Sequence, residues 1–138
     1  MRKESAILVI DDEPGTRASL VRSLGNAGFR IVQAASGEHG LWAIEQHQFS
    51  CVLAEFRLPD IDGHVFVQKC HRMAPTLPVI VISGPEDSMD AAQCLREGAV
   101  SWLSKPFSPT NACVMVCQAI EKNALKAKCR VAGQLPTS

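Results

Sequence analysis

The chain of 138 residues has the length of one domain and is long enough to enclose a hydrophobic core. Its 14 basic and 14 acidic residues give a formal net charge of zero, which provides no electrostatic footprint for nucleic acid or an anionic membrane surface. Hydrophobic residues make up 46% of the chain, yet no apolar run approaches the roughly 20 residues that a membrane span needs. We therefore expect neither direct nucleic-acid binding nor membrane insertion.

The amino-terminal segment and the cysteines both bear on the cellular compartment. Only five consecutive apolar residues precede Asp11, too few for the core of a signal peptide, so a cytoplasmic protein is expected. The cysteines form no C-x-x-C pair and have no histidine at ligand spacing, which favours small buried hydrophobic residues in a reducing compartment. These cysteines are Cys51, Cys70, Cys94, Cys113, Cys117 and Cys129. The histidines are interpreted as helix-surface residues: His39, His47, His64 and His71.

Five short apolar runs alternate along the chain with five helical patterns. Residues 6–10, 51–54 and 79–82 are continuously apolar, as parallel strands buried on both faces are. Residues 30–34 and 100–104 are half polar, which is typical of edge strands. Edge-like strands at second and fifth place predict an α/β, flavodoxin-like fold. Its open five-stranded parallel sheet would have the order 2-1-3-4-5, with helices on both faces.

Start signals mark the helices between these strands. Pro14 opens the first pattern, Ser36 the second and Pro85 the fourth, and the third follows Gly63.

The fifth helical pattern does not stop cleanly. It begins at Ser108, and its predicted apolar stripe is Cys113, Cys117, Ile120 and Ala124. The stripe continues beside several lysines, so the last residues are either a solvated, fraying tail or a connector helix to an output domain or a dimer partner. We divide the chain into a domain at residues 1–125 and a helical extension or linker at residues 126–138.

Polar side chains follow four of the five predicted strands. Asp11 and Asp12 follow the first, Glu55 ends the third, Ser83 ends the fourth and Lys105 follows the fifth. Because function gathers at the carboxyl ends of parallel strands, three carboxylates, a hydroxyl and an ammonium should meet at one edge. Mg²⁺ prefers oxygen ligands, and a hydroxyl and a lysine can hold phosphoryl oxygens. The sequence therefore predicts a magnesium and phosphoryl site.

Four ordered motifs resemble those of response-regulator receiver domains of two-component signalling. They are ILVIDDEP at residues 7–14, RLPDIDG at 57–63, PVIVISG at 78–84 and LSKPF at 103–107. The likeness covers about residues 5–125.

The resemblance implies a role for each residue of the predicted site. Asp11 and Asp12 would hold Mg²⁺ together with Glu55, which stands at the phosphoacceptor position. Ser83 would be the switch hydroxyl, and Lys105 would contact the phosphoryl group. The peptide bond that precedes Pro106 would be cis.

The resemblance also implies partners and a switch. A histidine kinase or phosphotransfer protein would donate the phosphoryl group. An output domain, an effector protein or a second copy would dock on the face of the fourth helix, fifth strand and fifth helix. Trp102 occupies the aromatic switch position on that face. A flavodoxin-like enzyme or flavin carrier is disfavoured, because no glycine-rich or Ser/Thr-rich phosphate loop follows the first strand.

One residue departs from the receiver pattern, which has aspartate where this chain has Glu55. The extra methylene moves the carboxylate about one bond length farther out, and a displacement near 1 Å can cost on the order of 10²-fold in rate. Three interpretations stay open. Glu55 partly mimics phospho-aspartate, or the domain is a pseudo-receiver used for protein contacts. In the third, the chain is an engineered variant or the glutamate itself is phosphorylated.

Overall fold

A computed structural model describes residues 6–133 of the chain and the side chains of residues 6–127. The strands are β1 (Ala6–Ile10), β2 (Arg30–Ala34), β3 (Cys51–Glu55), β4 (Val79–Ser83) and β5 (Ser101–Ser104). The helices are α1 (Pro14–Asn26), α2 (Gly37–Gln46), α3 (Gly63–Met73), α4 (Ser88–Arg96) and α5 (Pro109–Gly133). A single 3-10 turn at Pro85–Asp87 leads into α4.

The five strands form one parallel sheet in the order β2-β1-β3-β4-β5, which confirms the predicted fold. Every residue of β1, β3 and β4 is buried, whereas β2 and β5 have exposed positions. The apolar runs therefore identified the central strands, and the half-polar runs identified the edges. β3 and β4 each extend one residue beyond the predicted apolar run, to Glu55 and Ser83.

Alternating side chains of the strands supply two hydrophobic cores, one on each face of the sheet. One core packs α2, α3 and α4 against strand residues such as Leu8, Val52 and Val81. The other packs α1 and α5 against residues such as Val9 and Leu53. The sheet is thus held between two helical layers.

The apolar stripe predicted for α5 was partly wrong. Cys113 and Ile120 do pack against the core, but Cys117 and Ala124 are exposed. The residues buried against the sheet are Ala112, Val116 and Ala119. They lie one position before the predicted stripe, and two of them are alanines, which let the helix backbone approach the sheet closely.

The helix itself continues to Gly133, and the predicted extension from residue 126 is helical up to that point. Residues 134–138 lie outside the described part of the chain. Within residues 6–133, no helix is both long enough and apolar enough to cross a membrane.

Three of the cysteines are buried, as the sequence predicts. Cys51, Cys70 and Cys94 are buried, and burial raises the pKa of each thiol to about 12. Cys117 is exposed, contrary to the prediction. The side chain of Cys129 lies outside those described.

Candidate functional site

The carboxyl edge of the sheet brings together three of the predicted site residues. Asp11 follows β1 and is fully buried, and Glu55 ends β3 with 7% of its surface exposed. Lys105 follows β5, and its backbone N–H donates to the carbonyl oxygen of Ser83 at 2.8 Å. Because β1, β3, β4 and β5 are parallel and adjacent in the order 1-3-4-5, these residues lie at one end of the sheet.

The Asp11 carboxyl group is suited to bind a cation. Its Oδ1 atom accepts a hydrogen bond from the Glu13 backbone N–H at 2.9 Å. Its Oδ2 atom is buried and has no hydrogen-bond partner among residues 6–127. Burial raises the pKa of Asp11, while the Glu13 N–H and the charge of Lys105 act to lower it. A divalent ion would satisfy the free oxygen and relieve the cost of burial.

Asp12 lies at the surface beside this group. Its side chain is exposed and lines a pocket of about 510 Å³ together with the loop that follows β3. The two aspartates thus offer one buried carboxylate and one solvent-facing carboxylate, a donor set that Mg²⁺ accepts with water completing its coordination.

Glu55 and Lys105 form an ion pair within the site. The Oε1 atom of Glu55 lies 2.6 Å from the Nζ atom of Lys105, although the angle is not that of a well-aligned hydrogen bond. Burial raises the pKa of Glu55, and Lys105 opposes that shift. Burial acts to lower the pKa of Lys105, but attraction to the carboxylates of Glu55, Asp11 and Glu13 outweighs it, so the pKa is raised. Lys105 is therefore the cation that holds this buried carboxylate.

Ser83 and Trp102 lie on β4 and β5. The Ser83 side chain is fully buried, and its Oγ atom has no partner among the side chains described. Trp102 stands opposite Val81 in the sheet register and is half-buried, packed against the core of α2, α3 and α4. The peptide bond between Lys105 and Pro106 is cis, as the resemblance implied.

Two aspartates of the β3–α3 loop fix its position. Asp62 caps α3 by accepting hydrogen bonds from the N–H groups of His64 and Val65. Asp60 accepts from the N–H groups of Gly37 and Glu38 at 3.0 and 2.8 Å, at the start of α2. Asp60 thereby joins this loop to the start of another helix.

Arg57 links the β3–α3 loop to the start of α4. Its Nε and Nη2 atoms donate to the two carboxylate oxygens of Asp87 at 2.7 and 2.8 Å. The Asp87 side chain is only 2% exposed, whereas that of Arg57 is 67% exposed. The hydrogen bonds from Arg57 lower the pKa of Asp87.

His64 was wrongly interpreted as a plain helix-surface residue. Its side chain is 23% exposed and is held between α3 and α4 by Glu97 and Asp90. Cys94 lies beside the same imidazole ring. Glu97 and Cys94 are 33 and 30 residues away in sequence, so no local spacing could have indicated the group.

The response regulator receiver domain family model matches residues 7–117, and the chain belongs to this family. It is similar to the transcriptional regulatory protein KdpE of Mycobacterium tuberculosis, with 34% identity over 88% of this chain and 54% of the relative. It is also similar to FixJ of Bradyrhizobium diazoefficiens, with 29% identity over 97% of this chain and 65% of the relative.

Solved structures give the same result. NtrX from Brucella abortus superposes with a TM-score of 0.89 and 27% identity, covering 97% of this chain and 31% of that one. A receiver domain protein from Clostridium thermocellum superposes with a TM-score of 0.83 and 25% identity, covering 88% and 98%. The protein is a two-component receiver domain with a flavodoxin-like fold. It spans less than two thirds of the length of curated relatives such as FixJ (65%) and DctD of Rhizobium meliloti (27%).

Proposed function

We propose that this receiver is impaired in phosphorylation because Glu55 fills the phosphoacceptor position, and that the built-in charge holds the domain partly in an active-like state. The observation that carries the proposal is the 2.6 Å contact between Glu55 Oε1 and Lys105 Nζ. The lysine that would bind an incoming phosphoryl group is already engaged by a carboxylate of the chain itself.

Two physical effects make phosphotransfer to Glu55 slow. The longer side chain displaces the nucleophilic oxygen from the place that an aspartate oxygen would take, and such positioning dominates phosphoryl transfer. The same oxygen is paired with Lys105, so attack requires that this ion pair be broken. A histidine kinase or phosphotransfer protein would then be a poor donor to this chain.

The active-like bias follows from charge. A phosphorylated aspartate carries roughly −1.5 to −2 charges, and Glu55 carries at most one, so mimicry is incomplete. Its carboxylate nevertheless reaches Lys105 as a phosphoryl oxygen would. The buried Ser83 hydroxyl lacks a partner among the described residues, so it remains available as the switch group that follows the acceptor site.

Mg²⁺ is the cofactor that these residues fit. Asp11 and Asp12 would hold the ion, and Glu55 would join them when it leaves Lys105. The ion would supply positive charge to neutralise a phosphoryl donor. Because Lys105 competes for Glu55, we expect weak binding.

The proposed partner surface is the face of α4, β5 and α5. Large apolar side chains are exposed along it: Met89 is 86% exposed, Val100 44%, Val114 47% and Leu125 59%. Such side chains favour docking of an output domain, an effector protein or a second copy of the chain. We assign the receiver to residues 1–125 and the extension from residue 126 to a connector.

A second candidate function is a pseudo-receiver that serves as a phosphorylation-independent interaction or dimerisation domain. The exposed apolar side chains on the same face favour it equally. In that case Glu55 is only a lost acceptor, and its charge has no effect on the surface.

The experiment that separates the two is a comparison of wild type with Glu55→Gln, which keeps the shape and removes the charge. Sedimentation over a concentration series measures self-association. Quenching of Trp102 is measured in a Trp42→Phe background, because Trp42 is 55% exposed and would dominate the signal. Glu45→Gln, an exposed change on α2, is the control.

We expect Glu55→Gln to weaken self-association and to make Trp102 more accessible to the quencher, while Glu45→Gln changes neither. If association and quenching are the same in all three proteins, the built-in charge has no effect and the pseudo-receiver function is supported instead.

A further inference from the structure

Three side chains that can each donate a nitrogen, sulfur or oxygen ligand to a metal lie together at the interface between α3 and α4. They are the imidazole of His64 on α3, the thiol of Cys94 on α4 and the carboxylate of Glu97 just after α4. One donor atom of each lies within 4.8 Å of the other two. The Nδ1 atom of His64 is 2.7 Å from Glu97 Oε1 and 3.8 Å from Cys94 Sγ.

The other nitrogen of the ring is also held. Nε2 of His64 lies 3.0 Å from Asp90 Oδ1. Histidines that bind metals through one nitrogen commonly donate the other N–H to a carboxylate, which fixes the ring and its tautomer. Asp90 is therefore a positioning residue that directs Nδ1 toward Cys94 and Glu97. Phe56 packs edge-on against the ring, with centroids 5.3 Å apart, and supports the same orientation.

The donor atoms at the α3–α4 interface are buried or partly buried and lie among acidic side chains, and both features favour binding of a cation. Cys94 is fully buried, and the Glu97 side chain is 17% exposed, so the donor atoms are partly shielded from water. Asp62, Asp90 and Glu97 all act electrostatically on the Cys94 thiol. A divalent ion would reduce this concentration of negative charge.

The donor spacing is close to that of tetrahedral zinc. Bond lengths of about 2.0–2.1 Å to nitrogen and oxygen and 2.3 Å to sulfur place ligand atoms roughly 3.3–3.6 Å apart. The His64–Cys94 distance of 3.8 Å is already near that range. The His64–Glu97 distance of 2.7 Å is a hydrogen-bond length and has to open by about half an ångström, which rotation of the Glu97 side chain can supply.

We propose that His64, Cys94 and Glu97 form a binding site for a divalent transition metal such as Zn²⁺, with water as the fourth ligand. The mixed nitrogen, sulfur and oxygen donors select a borderline-soft ion over Mg²⁺, which prefers oxygen alone. On binding, the thiol proton of Cys94 and any proton on His64 Nδ1 pass to solvent. The site is separate from the aspartates at the carboxyl edge of the sheet.

Metal at this position ties α3 to α4 through side chains of both elements. Because α4 contributes to the proposed partner surface, the metal would bias that surface without any phosphoryl group. This consequence rests on the proposed function, whereas the metal site itself does not.

The test uses Co²⁺ as a spectroscopic substitute and Zn²⁺ as competitor, on the purified chain with millimolar Mg²⁺ present to fill the aspartate site. A thiolate bound to Co²⁺ gives a sulfur-to-metal charge-transfer band in the near ultraviolet, and tetrahedral Co²⁺ gives intense visible bands. We expect one equivalent of Co²⁺ to produce both signals and one equivalent of Zn²⁺ to remove them.

The variants are Glu97→Gln, which keeps the shape, and Cys94→Ser, which is nearly isosteric. Each should weaken Co²⁺ binding at least tenfold, and Cys94→Ser should abolish the charge-transfer band. The controls are Cys117→Ser on α5 and His39→Ala on α2, since both residues are exposed and neither belongs to α3 or α4. Circular dichroism establishes that each variant is folded.

Either of two results would overturn the proposal. One is that the wild-type chain binds no Co²⁺ or shows no charge-transfer band. The other is that the band persists in Cys94→Ser or is lost in Cys117→Ser, which would place the metal elsewhere. Phosphorylation plays no part in this assay, so its outcome is independent of the role of Glu55.

Discussion

The Nζ atom of Lys105 lies 2.6 Å from the Oε1 atom of Glu55, and this ion pair occupies the centre of the carboxyl edge of the sheet. Lys105 is also 4.0 Å from Glu13 Oε1, so the lysine is surrounded by acidic groups of its own chain. The Glu55 side chain is 8% exposed and that of Lys105 is 29% exposed. A cation that faces the acceptor position is therefore already neutralised without a phosphoryl group.

Removing this lysine should strengthen magnesium binding. In Lys105→Ala, Glu55 loses its cation and becomes available to Mg²⁺ beside Asp11, so affinity should rise on the order of tenfold, or about 1.4 kcal/mol. Calorimetric titration with Mg²⁺ measures the change, and Lys122→Ala on the exposed side of α5 is the control. Unchanged or weaker affinity in Lys105→Ala would show that Glu55 is not a metal ligand.

The Arg57–Asp87 pair should appear in the pH dependence of stability. Arg57 holds the folded-state pKa of Asp87 below its ordinary value of 3.8. A carboxyl group of this kind stabilises the fold above its unfolded pKa and loses that contribution as pH falls through the folded pKa. Asp87→Asn should therefore lower the free energy of unfolding near pH 6.

Because that contribution fades in acid, the difference between wild type and Asp87→Asn should shrink from about pH 5 to about pH 3. Urea unfolding at several pH values measures it, with Glu121→Gln on the exposed surface of α5 as the matched loss of one charge. A difference that does not vary with pH would mean that the ion pair contributes nothing through its charge.

Gly63 should not tolerate a side chain. A Cβ atom there would overlap the ring of Phe56 and lie 2.7 Å from the Phe56 carbonyl oxygen. Gly63→Ala should cost roughly 1–3 kcal/mol of stability through overpacking. Gly15→Ala is the matched control, since nothing lies within 4 Å of its added Cβ, and it should be neutral or slightly stabilising. Thermal unfolding of both variants tests this, and equal melting temperatures would contradict the packing account.

The sheet could be predicted from the sequence because strands that are buried on both faces have uninterrupted apolar sequences. Residues 6–10 and 79–82 are apolar without interruption, and a strand buried on one face only would alternate instead. The buried face of α5 was harder to predict than the sheet, because Ala112 and Ala119 are weakly hydrophobic. The adjacent Cys113 and Ile120 also contact the core. Two neighbouring apolar stripes made the helix face ambiguous by one position.

The candidate site could be predicted only where strand order alone brings residues together. Asp11, Glu55 and Lys105 each follow or end a strand, so parallel topology places them at one edge. The group around His64 depends instead on how α3 packs against α4, and no periodicity in the sequence specifies that contact. The same holds for Asp60, whose bonds to the start of α2 join segments more than 20 residues apart.

The most direct test of the account is the intact mass of wild type and Glu55→Asp after incubation with acetyl phosphate or a phosphoramidate donor. We expect wild type to remain largely unmodified, and Glu55→Asp to gain one phosphoryl group only when Mg²⁺ is present. Both proteins contain the same remaining site residues, which are Asp11, Asp12, Ser83 and Lys105. They differ only in the length of the acceptor side chain and in its ion pair with Lys105. A wild-type chain that takes up one phosphoryl group at high occupancy would contradict the impaired-acceptor account. The uptake must persist after Asp60 and Asp62 are changed, because these neighbouring carboxylates could otherwise be the groups that are phosphorylated.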